Sequence, residues 1–193
     1  MALAISRKEA SLLKRIRGLL PTADVDAYLV GGWVRDHLLG RKTRDIDVAV
    51  GVSAPEFARQ AAATLDGHYV LLDEAEGIAR VVLLEDDAAE QTQWHLDLST
   101  VRGTIKSDLS CRDFTIDAMA IDLSDIGKHS PPRLIDPFGG KKDLEAGRFI
   151  GQAEGIVLKN QNGPTGTAEL IYRAEFTRFE DIVAPGGQTK EPF

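Results

Sequence analysis

The stretch GGWVRDHLLGRKTRDIDVAV, residues 31–50, decides the fold class of this chain. It follows the apolar run AYLV at 27–30, which predicts a buried strand that ends at two glycines. The residues up to Leu39 then predict a short helix, and Gly40 ends it. From Asp45 onward, acidic and apolar residues alternate with the period of a second strand. A strand, a glycine turn, a helix and another strand therefore follow one another directly.

The segments around this stretch predict three more helices. Ser6 with Glu9 three residues later is a capping-box pattern, which predicts an amphipathic helix within residues 1–24. An alanine-rich helix is predicted at 55–65. A short helix is also predicted at 109–113.

Further strands are predicted downstream from apolar runs bounded by turn residues. They are expected at 68–72, 79–84, 94–100, 119–123 and 134–136, the last two as edge strands. The acidic stretch EDDAAEQTQ at 85–93 is predicted as a hairpin loop. Because strands and helices do not alternate strictly, we expect an α+β fold, a mixed sheet of about five strands with helices on one face.

Composition limits the classes of function that are open to the chain. It has 193 residues, 43% of them hydrophobic, with one cysteine and a formal net charge of −7. No stretch approaches the ~20 apolar residues of a membrane span, and no secretory signal is recognisable, so a cytoplasmic protein without a membrane partner is expected. The negative charge excludes a strongly basic surface that coats a polynucleotide. Any contact with nucleic acid must therefore be a local patch.

Asp45 and Asp47 are the first indication of chemistry. Residues two apart on a strand point to the same face, so the two carboxylates project together and repel each other. A pair of Mg²⁺ ions resolves the repulsion, because magnesium prefers carboxylate oxygens together with substrate phosphates. A solvated strand face is the alternative for an Asp-x-Asp pattern taken alone.

The flanking residues favour a phosphate ligand. Gly31 and Gly32 allow close approach of the backbone, and the following helix N-terminus with Arg35 suits a phosphate. A plain tight turn is the alternative. Asp97 lies on a third predicted strand, where it is placed to complete the metal site. The alternative is that this single carboxylate on a strand has no role in metal binding. The cations Arg102, Lys106 and Arg112 follow it and suit a triphosphate or, alternatively, form a solvated basic turn.

Four segments in order resemble the class II nucleotidyltransferases, which are the tRNA CCA-adding enzymes and bacterial poly(A) polymerases. The first is GGWVRDHLLG followed by RDIDVAV. HLDLSTVRG at 95–103 is similar to the family's next strand, and CRDFTIDAMAIDL at 111–123 to its Arg-Arg-Asp-Phe-Thr-x-Asn-Ala segment. LIDPFGGKKDLEAGRFI at 134–150 resembles the segment that closes the head domain. The resemblance covers residues 25–150 and implies a nucleotidyltransferase-type sheet.

The resemblance also implies a role for each matching residue. Asp45 and Asp47 would be the catalytic, metal-binding carboxylates of a two-Mg²⁺ site, with Asp97 as an accessory catalytic acid. The implied nucleotide-binding residues are Gly31, Gly32, Arg35, Arg112 and Asp113. The implied reaction is attack of an RNA 3′-hydroxyl on the α-phosphate of CTP or ATP, with release of pyrophosphate. Asp136 with Gly139 and Gly140 is expected to be structural.

The chain departs from the family pattern at several points. Cys111 stands at the first arginine of the Arg-Arg-Asp segment and Asp117 at the family's asparagine, which predicts weaker nucleotide binding. The Glu-Asp-x-x-Arg motif that selects the base, and the helical domains that hold tRNA, are not found. We therefore expect incomplete activity from this chain alone, with a second chain as a possible source of those domains. An inactive nucleotide-binding remnant is the alternative.

The sequence pattern changes after Ile150, so residues 151–193 form a third predicted unit. Two strand-like runs at 156–159 and 167–172, around the turn-rich NQNGPTG, predict a β-hairpin. About 155–182, which includes KNQNGPTGTAELIYRAEFTRFED at 159–181, resembles the C-terminal end of replicative DNA helicases. Lys159 matches a lysine of that family, whereas Gln161 stands at an arginine. No Walker A motif is present. The alternative to an active enzyme therefore has a second form, in which the nucleotidyltransferase head is fused to the terminus of a DNA helicase.

Overall fold

The computed structural model describes residue 3, residues 5–87, 90–128 and 131–146, and three strands at 152–157, 166–173 and 178–181. The elements in chain order are α1 (Arg7–Gly18), β1 (Ala27–Val30), α2 (Gly31–Leu38), β2 (Asp45–Val50), α3 (Ala54–Leu65), β3 (His68–Asp73), β4 (Ile78–Asp87), β5 (Glu90–Thr100), α4 (Ile105–Leu109), β6 (Ala120–Asp122), β7 (Leu134–Ile135), α5 (Gly140–Glu145), β8 (Gln152–Val157), β9 (Gly166–Arg173) and β10 (Arg178–Asp181). Short 3-10 helices lie at Thr115–Asp117 and Leu123–Asp125.

Seven strands form one mixed sheet in the order β3-β4-β5-β2-β1-β6-β7. β2 pairs with β5 in parallel, and the other neighbours in this sheet pair antiparallel. The sheet is larger than the expected five strands. β6 lies between β1 and β7 and is therefore not an edge strand, because the short β7 covers its outer side.

Three helices cover one face of this sheet, which confirms the expected α+β class. Ile46, Val48 and Val50 of β2 are fully buried there in one core with residues of α1, α2 and α3. The short α4 lies against the opposite face, where its Leu109 packs with Tyr28. Alternation along β2 therefore separates an apolar face from the face that carries Asp45 and Asp47.

The predicted capping box begins α1. The Ser6 side chain accepts from the backbone N–H of Glu9, and the Glu9 carboxylate accepts from the backbone N–H of Ser6 at 2.8 Å. Leu13 and Ile16 of this helix are at most 1% exposed and belong to the core that contains β2. None of the helices in the described residues is long and apolar enough to cross a membrane.

Three local predictions were wrong in detail. The acidic stretch at 85–93 contributes to β4 and β5, whose ladder continues to the pair Asp87 and Glu90. Backbone pairing needs no apolar side chains, so the strands extend beyond their apolar runs.

The helix predicted at 109–113 lies earlier, at 105–109, because Thr104 caps it by accepting from Ser107 N. α2 begins at Gly31, so the two glycines form its first turn.

The last three strands form a separate antiparallel sheet in the order β10-β9-β8. The predicted hairpin is present as β8 paired with β9, although β8 starts earlier than its sequence pattern indicated. β10 adds a third strand that the sequence did not indicate. Lys159 and Gln161, on which the helicase comparison depends, lie outside the described residues.

Candidate functional site

The three predicted carboxylates lie on the face of the sheet opposite the large helices. In the parallel pair of β2 and β5, Asp45 is opposite His95 and Asp47 is opposite Asp97. Partners in register point to the same side of a sheet. The structure therefore brings Asp45, Asp47 and Asp97 together, as the sequence predicted.

Asp47 is the most enclosed of the three acids, and it is held by the start of α2. Its Oδ2 accepts a hydrogen bond from the backbone N–H of Trp33 at 3.2 Å. Burial raises the pKa of Asp47, and the charges of Asp97 and Asp45 raise it further, whereas the Trp33 N–H and Arg112 lower it. The net pKa of Asp47 is above the ordinary value, because the Trp33 N–H and Arg112 do not fully offset burial and repulsion.

Asp45 is the outermost acid, with a side chain that is 63% exposed. Its Oδ1 lies 2.8 Å from His95 Nδ1 on the neighbouring strand. The backbone N–H of Asp45 donates to Thr43 Oγ1 at 3.1 Å, which ties the start of β2 to the preceding loop. Asp45 is therefore open to a ligand from solvent, whereas Asp47 is reached through the cleft.

Asp97 is engaged by an arginine that the sequence analysis did not single out. Arg80 Nε and Nη2 donate to the two carboxylate oxygens of Asp97 at 2.6 and 2.7 Å. The hydrogen bonds to Asp97 raise the pKa of Arg80. Arg80 lies directly opposite Asp97 in the β4–β5 ladder, so the same-face alternation of β4 was the signal that could have identified it.

The two glycines bring the start of α2 close to the charged groups. Gly31 has φ +60°, and a Cβ there would lie 3.6 Å from both Arg112 Nη1 and Asp47 Oδ2. A Cβ on Gly32 would lie 3.3 Å from Arg35 Nη2 and 3.5 Å from Asp47 Oδ2. Side chains at these positions would fill the space beside Asp47, so both glycines keep this part of the site open.

Arg35 lies near the glycines, but it is neutralised by two acids. Its guanidinium bonds Asp36 at 3.1 Å and Asp117 at 2.6 Å. Burial lowers the pKa of Arg35, yet these two partners raise it to a net value above the ordinary one. Burial also raises the pKa of Asp117, in spite of the charge of Arg35. Asp117, which stands at the family's asparagine, thus binds the guanidinium of Arg35. The resemblance implied that this guanidinium would bind a triphosphate.

Arg112 and Asp113 are neighbours that line one surface depression together, but only Arg112 also lies against the site. Arg112 lies against the site near Gly31 and forms an ion pair with Asp108 at 3.6 Å. Asp113 is exposed and lines a shallow depression with Phe138, apart from the three carboxylates. The structure therefore brings Arg112 into the candidate site and leaves Asp113 outside it.

A cleft of about 370 Å³ extends from Asp47 and Asp97 toward Arg112. Cys111 is an exposed residue that lines it. Arg102 also lines the cleft, where it is paired with Glu76. The cleft therefore combines the carboxylates of Asp47 and Asp97 with two guanidinium groups, each of which has an acidic partner in the lining.

The residues present fit magnesium through two aspartates. In the described part of the chain, no group of three or more His, Cys, Asp or Glu side chains is arranged to hold a metal ion. Both oxygens of Asp97 are engaged by Arg80, which leaves Asp45 and Asp47 as the candidate ligands. Mg²⁺ is commonly held by one or two carboxylates, with substrate phosphates and water completing its octahedron. The raised pKa of Asp47 indicates a place where added positive charge is favourable.

Comparisons with known proteins identify relatives that match most of this chain. The family model described as "Poly A polymerase head domain" matches residues 27–150. The CC-adding tRNA nucleotidyltransferase of Geobacter sulfurreducens is 39% identical over 136 residues, which cover 70% of this chain and 29% of that protein.

Solved structures of CCA-adding enzymes share the fold. The Thermotoga maritima CCA-adding enzyme complexed with tRNA has a TM-score of 0.60 and 39% identity, covering 75% of this chain and 33% of that one. CCA-adding enzyme complexes with ATP and with CTP have TM-scores of 0.62 and 0.60, at 36% and 37% identity. Those alignments cover 76% and 74% of this chain, and 34% and 33% of theirs.

The chain spans about a third of the length of these proteins. The shared portion is the one that carries the three carboxylates, α2 and the cleft. These matches do not show the helicase resemblance of residues 155–182, which stays a prediction.

Proposed function

Because the chain belongs to the poly A polymerase head domain family, we propose that it is a nucleotidyltransferase head that transfers a nucleoside monophosphate from CTP or ATP to an RNA 3′-hydroxyl. The observation that carries the proposal is the pairing of Asp47 with Asp97 across parallel strands, beside Asp45 and the start of α2. This arrangement provides a compact acidic centre next to backbone that can approach a phosphate.

The nucleotide would occupy the cleft, with its triphosphate between the carboxylates and Arg112. Gly31 and Gly32 leave room for that phosphate chain beside Asp47. Asp45 and Asp47 would hold Mg²⁺, which supplies neutralisation of the phosphate charge and a lowered pKa for the attacking hydroxyl. Positioning and charge stabilisation account for most of the rate enhancement of such transfers, and both depend on residues that the fold already orients.

Cation supply in this cleft is limited. Arg35 is bonded to Asp36 and Asp117, so Arg112 is the arginine that lies beside the glycines with the weaker partner, Asp108 at 3.6 Å. Cys111 adds no charge where the family resemblance leads us to expect an arginine. We therefore expect weak nucleotide binding by this chain.

The proposal also names the acceptor RNA. The relatives' names concern CC addition and CCA addition to tRNA, and one structure contains tRNA. An RNA with the 3′ end of a tRNA is therefore the acceptor we propose here. The choice between CTP and ATP is expected to be weak, with Kd values within about tenfold, or 1.4 kcal/mol.

The decisive experiment is thermal unfolding with Mg²⁺ and CTP. A ligand that binds only the folded state raises Tm by mass action. The double variant Asp45→Asn with Asp47→Asn is expected to lose the Mg²⁺-dependent part of the CTP shift. The matched control is Asp24→Asn with Glu56→Gln, which removes the same charge from two exposed positions and is expected to keep the full shift.

Comparison of the double variant with its control distinguishes nucleotide binding at Asp45 and Asp47 from nucleotide binding elsewhere on the chain. An unchanged Mg²⁺-dependent shift in the double variant would show that the nucleotide binds elsewhere. Equal losses in the variant and its control would show a general charge effect. Either result would overturn the assignment of Asp45 and Asp47.

A further inference from the structure

Two polar side chains that the reaction centre does not use are buried together between α1 and α2. Glu9 of α1 is 7% exposed and His37 of α2 is 5% exposed. His37 Nε2 lies 2.7 Å from Glu9 Oε1. A buried polar group is costly unless it is hydrogen-bonded, so each of these side chains depends on the other. The contact therefore links the two helices at a defined point.

The position of Glu9 is set by the start of α1. Its second carboxylate oxygen, Oε2, accepts a hydrogen bond from the backbone N–H of Ser6 at 2.8 Å. Burial raises the pKa of Glu9, but the hydrogen bonds with His37 and Ser6 lower it to a net value below the ordinary one. The carboxylate is therefore ionised at neutral pH. It uses one oxygen for its own helix and the other for His37.

On the α2 side, His37 holds Trp33, which lies four residues earlier. His37 Nδ1 donates to Trp33 O at 2.9 Å. The imidazole also stacks on the indole, with ring centroids 3.7 Å apart and an angle of 24° between the planes. Trp33 itself is 1% exposed. A hydrogen bond and a ring stack therefore fix Trp33 in the first turn of α2.

Trp33 connects this arrangement to the acidic centre. Its backbone N–H donates to Asp47 Oδ2 at 3.2 Å. The two residues before it, Gly31 and Gly32, restrict the backbone little, so they do not by themselves set the direction of that N–H. The contacts that hold Trp33 from the other side, through His37 and Glu9, supply the missing restraint.

We propose that Glu9 and His37 are positioning residues, whose contact holds the Trp33 N–H in place so that it orients the Asp47 carboxylate for Mg²⁺. The proposal rests on the proposed function, since Asp47 is a metal ligand there. Hydrogen bonds to a metal-binding side chain orient it and affect metal affinity. Glu9 precedes the residues 27–150 that the family model matches, so the contact links a segment outside that region to the centre.

The test compares Glu9→Ala with Ser6→Ala in the full chain. Each variant removes one hydrogen bond of the capping box, but only Glu9→Ala also removes the partner of His37. Both are expected to lower the Tm of the ligand-free protein. In thermal unfolding with CTP, we measure the Mg²⁺ concentration that gives half of the Mg²⁺-dependent shift. It is expected to rise about threefold or more in Glu9→Ala, and to stay within about 1.5-fold of the parent value in Ser6→Ala.

Glu9→Gln is the conservative variant. A glutamine at this position also completes a capping box, and its amide can still form a hydrogen bond with His37. The Mg²⁺ requirement of Glu9→Gln is expected to lie within about twofold of that of the parent chain. Equal increases in Glu9→Ala and Ser6→Ala would show that the stability of α1 alone is responsible, and would overturn the positioning role.

The amide proton resonance of Trp33 in NMR spectra is a second readout, which needs neither Mg²⁺ nor nucleotide. Asp47→Asn removes the charged acceptor of this N–H, so it defines the direction in which the resonance moves when the bond weakens. Glu9→Ala is expected to move the resonance in the same direction, whereas Ser6→Ala is expected to leave it in place. A Trp33 resonance that Glu9→Ala leaves unchanged would overturn the proposal.

Failure of this proposal is distinguishable from failure of the proposed function. A parent chain without a Mg²⁺-dependent CTP shift would overturn the proposed function. A response of the Trp33 resonance to Glu9→Ala would then still support the hold of Glu9 and His37 on Asp47. Conversely, a normal CTP shift in the parent chain, with the same Mg²⁺ requirement in Glu9→Ala, would leave the proposed function standing and overturn the positioning role.

Discussion

Arg80 holds both carboxylate oxygens of Asp97, at 2.6 and 2.7 Å, across the β4–β5 ladder. The pair faces the same side of the sheet as Asp47, which lies opposite Asp97 on the other neighbouring strand. Arg80 therefore limits the negative charge around Asp47 and occupies the atoms with which Asp97 could bind a metal. It sets how strongly the acidic centre attracts a cation.

Replacing Arg80 by alanine is expected to lower the Tm of the ligand-free protein and to increase its Mg²⁺-induced rise in Tm. Three carboxylates are then left with less neighbouring positive charge, and Asp97 becomes available as a ligand. The pair is about one quarter to one third exposed, so the loss of stability is expected to be about 1 kcal/mol or less, or about 2–4 °C. Arg80→Lys keeps the charge and is expected to change both quantities less. A smaller Mg²⁺ effect in Arg80→Ala would contradict this role.

Asp47→Asn is expected to stabilise the ligand-free protein at neutral pH while abolishing its response to Mg²⁺. The folded state raises the pKa of Asp47, chiefly by burial, so the ionised carboxylate opposes folding. That cost is absent at low pH, where the acid is protonated in both states. It increases as pH rises from the unfolded value of 3.8 through the folded pKa, and is constant above it. The Tm advantage of the variant is therefore expected to grow with pH and then level off.

This pH profile is measured by calorimetry without divalent ions. Asp24→Asn, which removes one carboxylate at an exposed position, is the control. A lower Tm for Asp47→Asn at neutral pH would indicate that the hydrogen bond from Trp33 outweighs the cost of burying the charge.

Cys111→Arg is expected to strengthen CTP and ATP binding. Cys111 lines the cleft next to Arg112, and the added guanidinium can reach a phosphate without displacing a buried group. A charge-assisted hydrogen bond contributes about 1.5 kcal/mol, which corresponds to about a tenfold lower Kd. The gain is expected to shrink as salt is raised. Cys111→Gln, which adds bulk without charge, is the control, and equal affinity gains in both variants would refute the electrostatic explanation.

Removing residues 151–193 is expected to leave the Mg²⁺-dependent CTP shift unchanged. Strands β8, β9 and β10 form their own sheet, and the candidate site is built from residues before position 146. The contrasting deletion removes residues 1–24. It is expected to unfold the head, because Leu13 and Ile16 of α1 are buried in the main core. Loss of the CTP shift after the C-terminal deletion would show that this segment takes part in the nucleotide site.

Several features of the site could be predicted from the sequence because they are local. Period-two alternation places Asp45 and Asp47 on one strand face whatever the rest of the fold does. The capping box of Ser6 and Glu9 involves residues three apart. The two glycines precede α2 in the chain, so their closeness to a helix N-terminus follows from chain order alone.

The partners of those groups were decided only by the tertiary structure. Arg35 and Asp117 are 82 residues apart in the chain, and Arg80 and Asp97 are 17 apart. Which strands become neighbours, and in which register, depends on burying apolar faces contributed by distant segments. No local pattern could show that Arg35 is neutralised, or that Asp113 lies outside the cleft. The sequence by itself therefore determined which acids share a strand. The packing of the sheet decided which cations neutralise the acids of the site. The reason is that ion pairs across strands form only when the register of those strands is set.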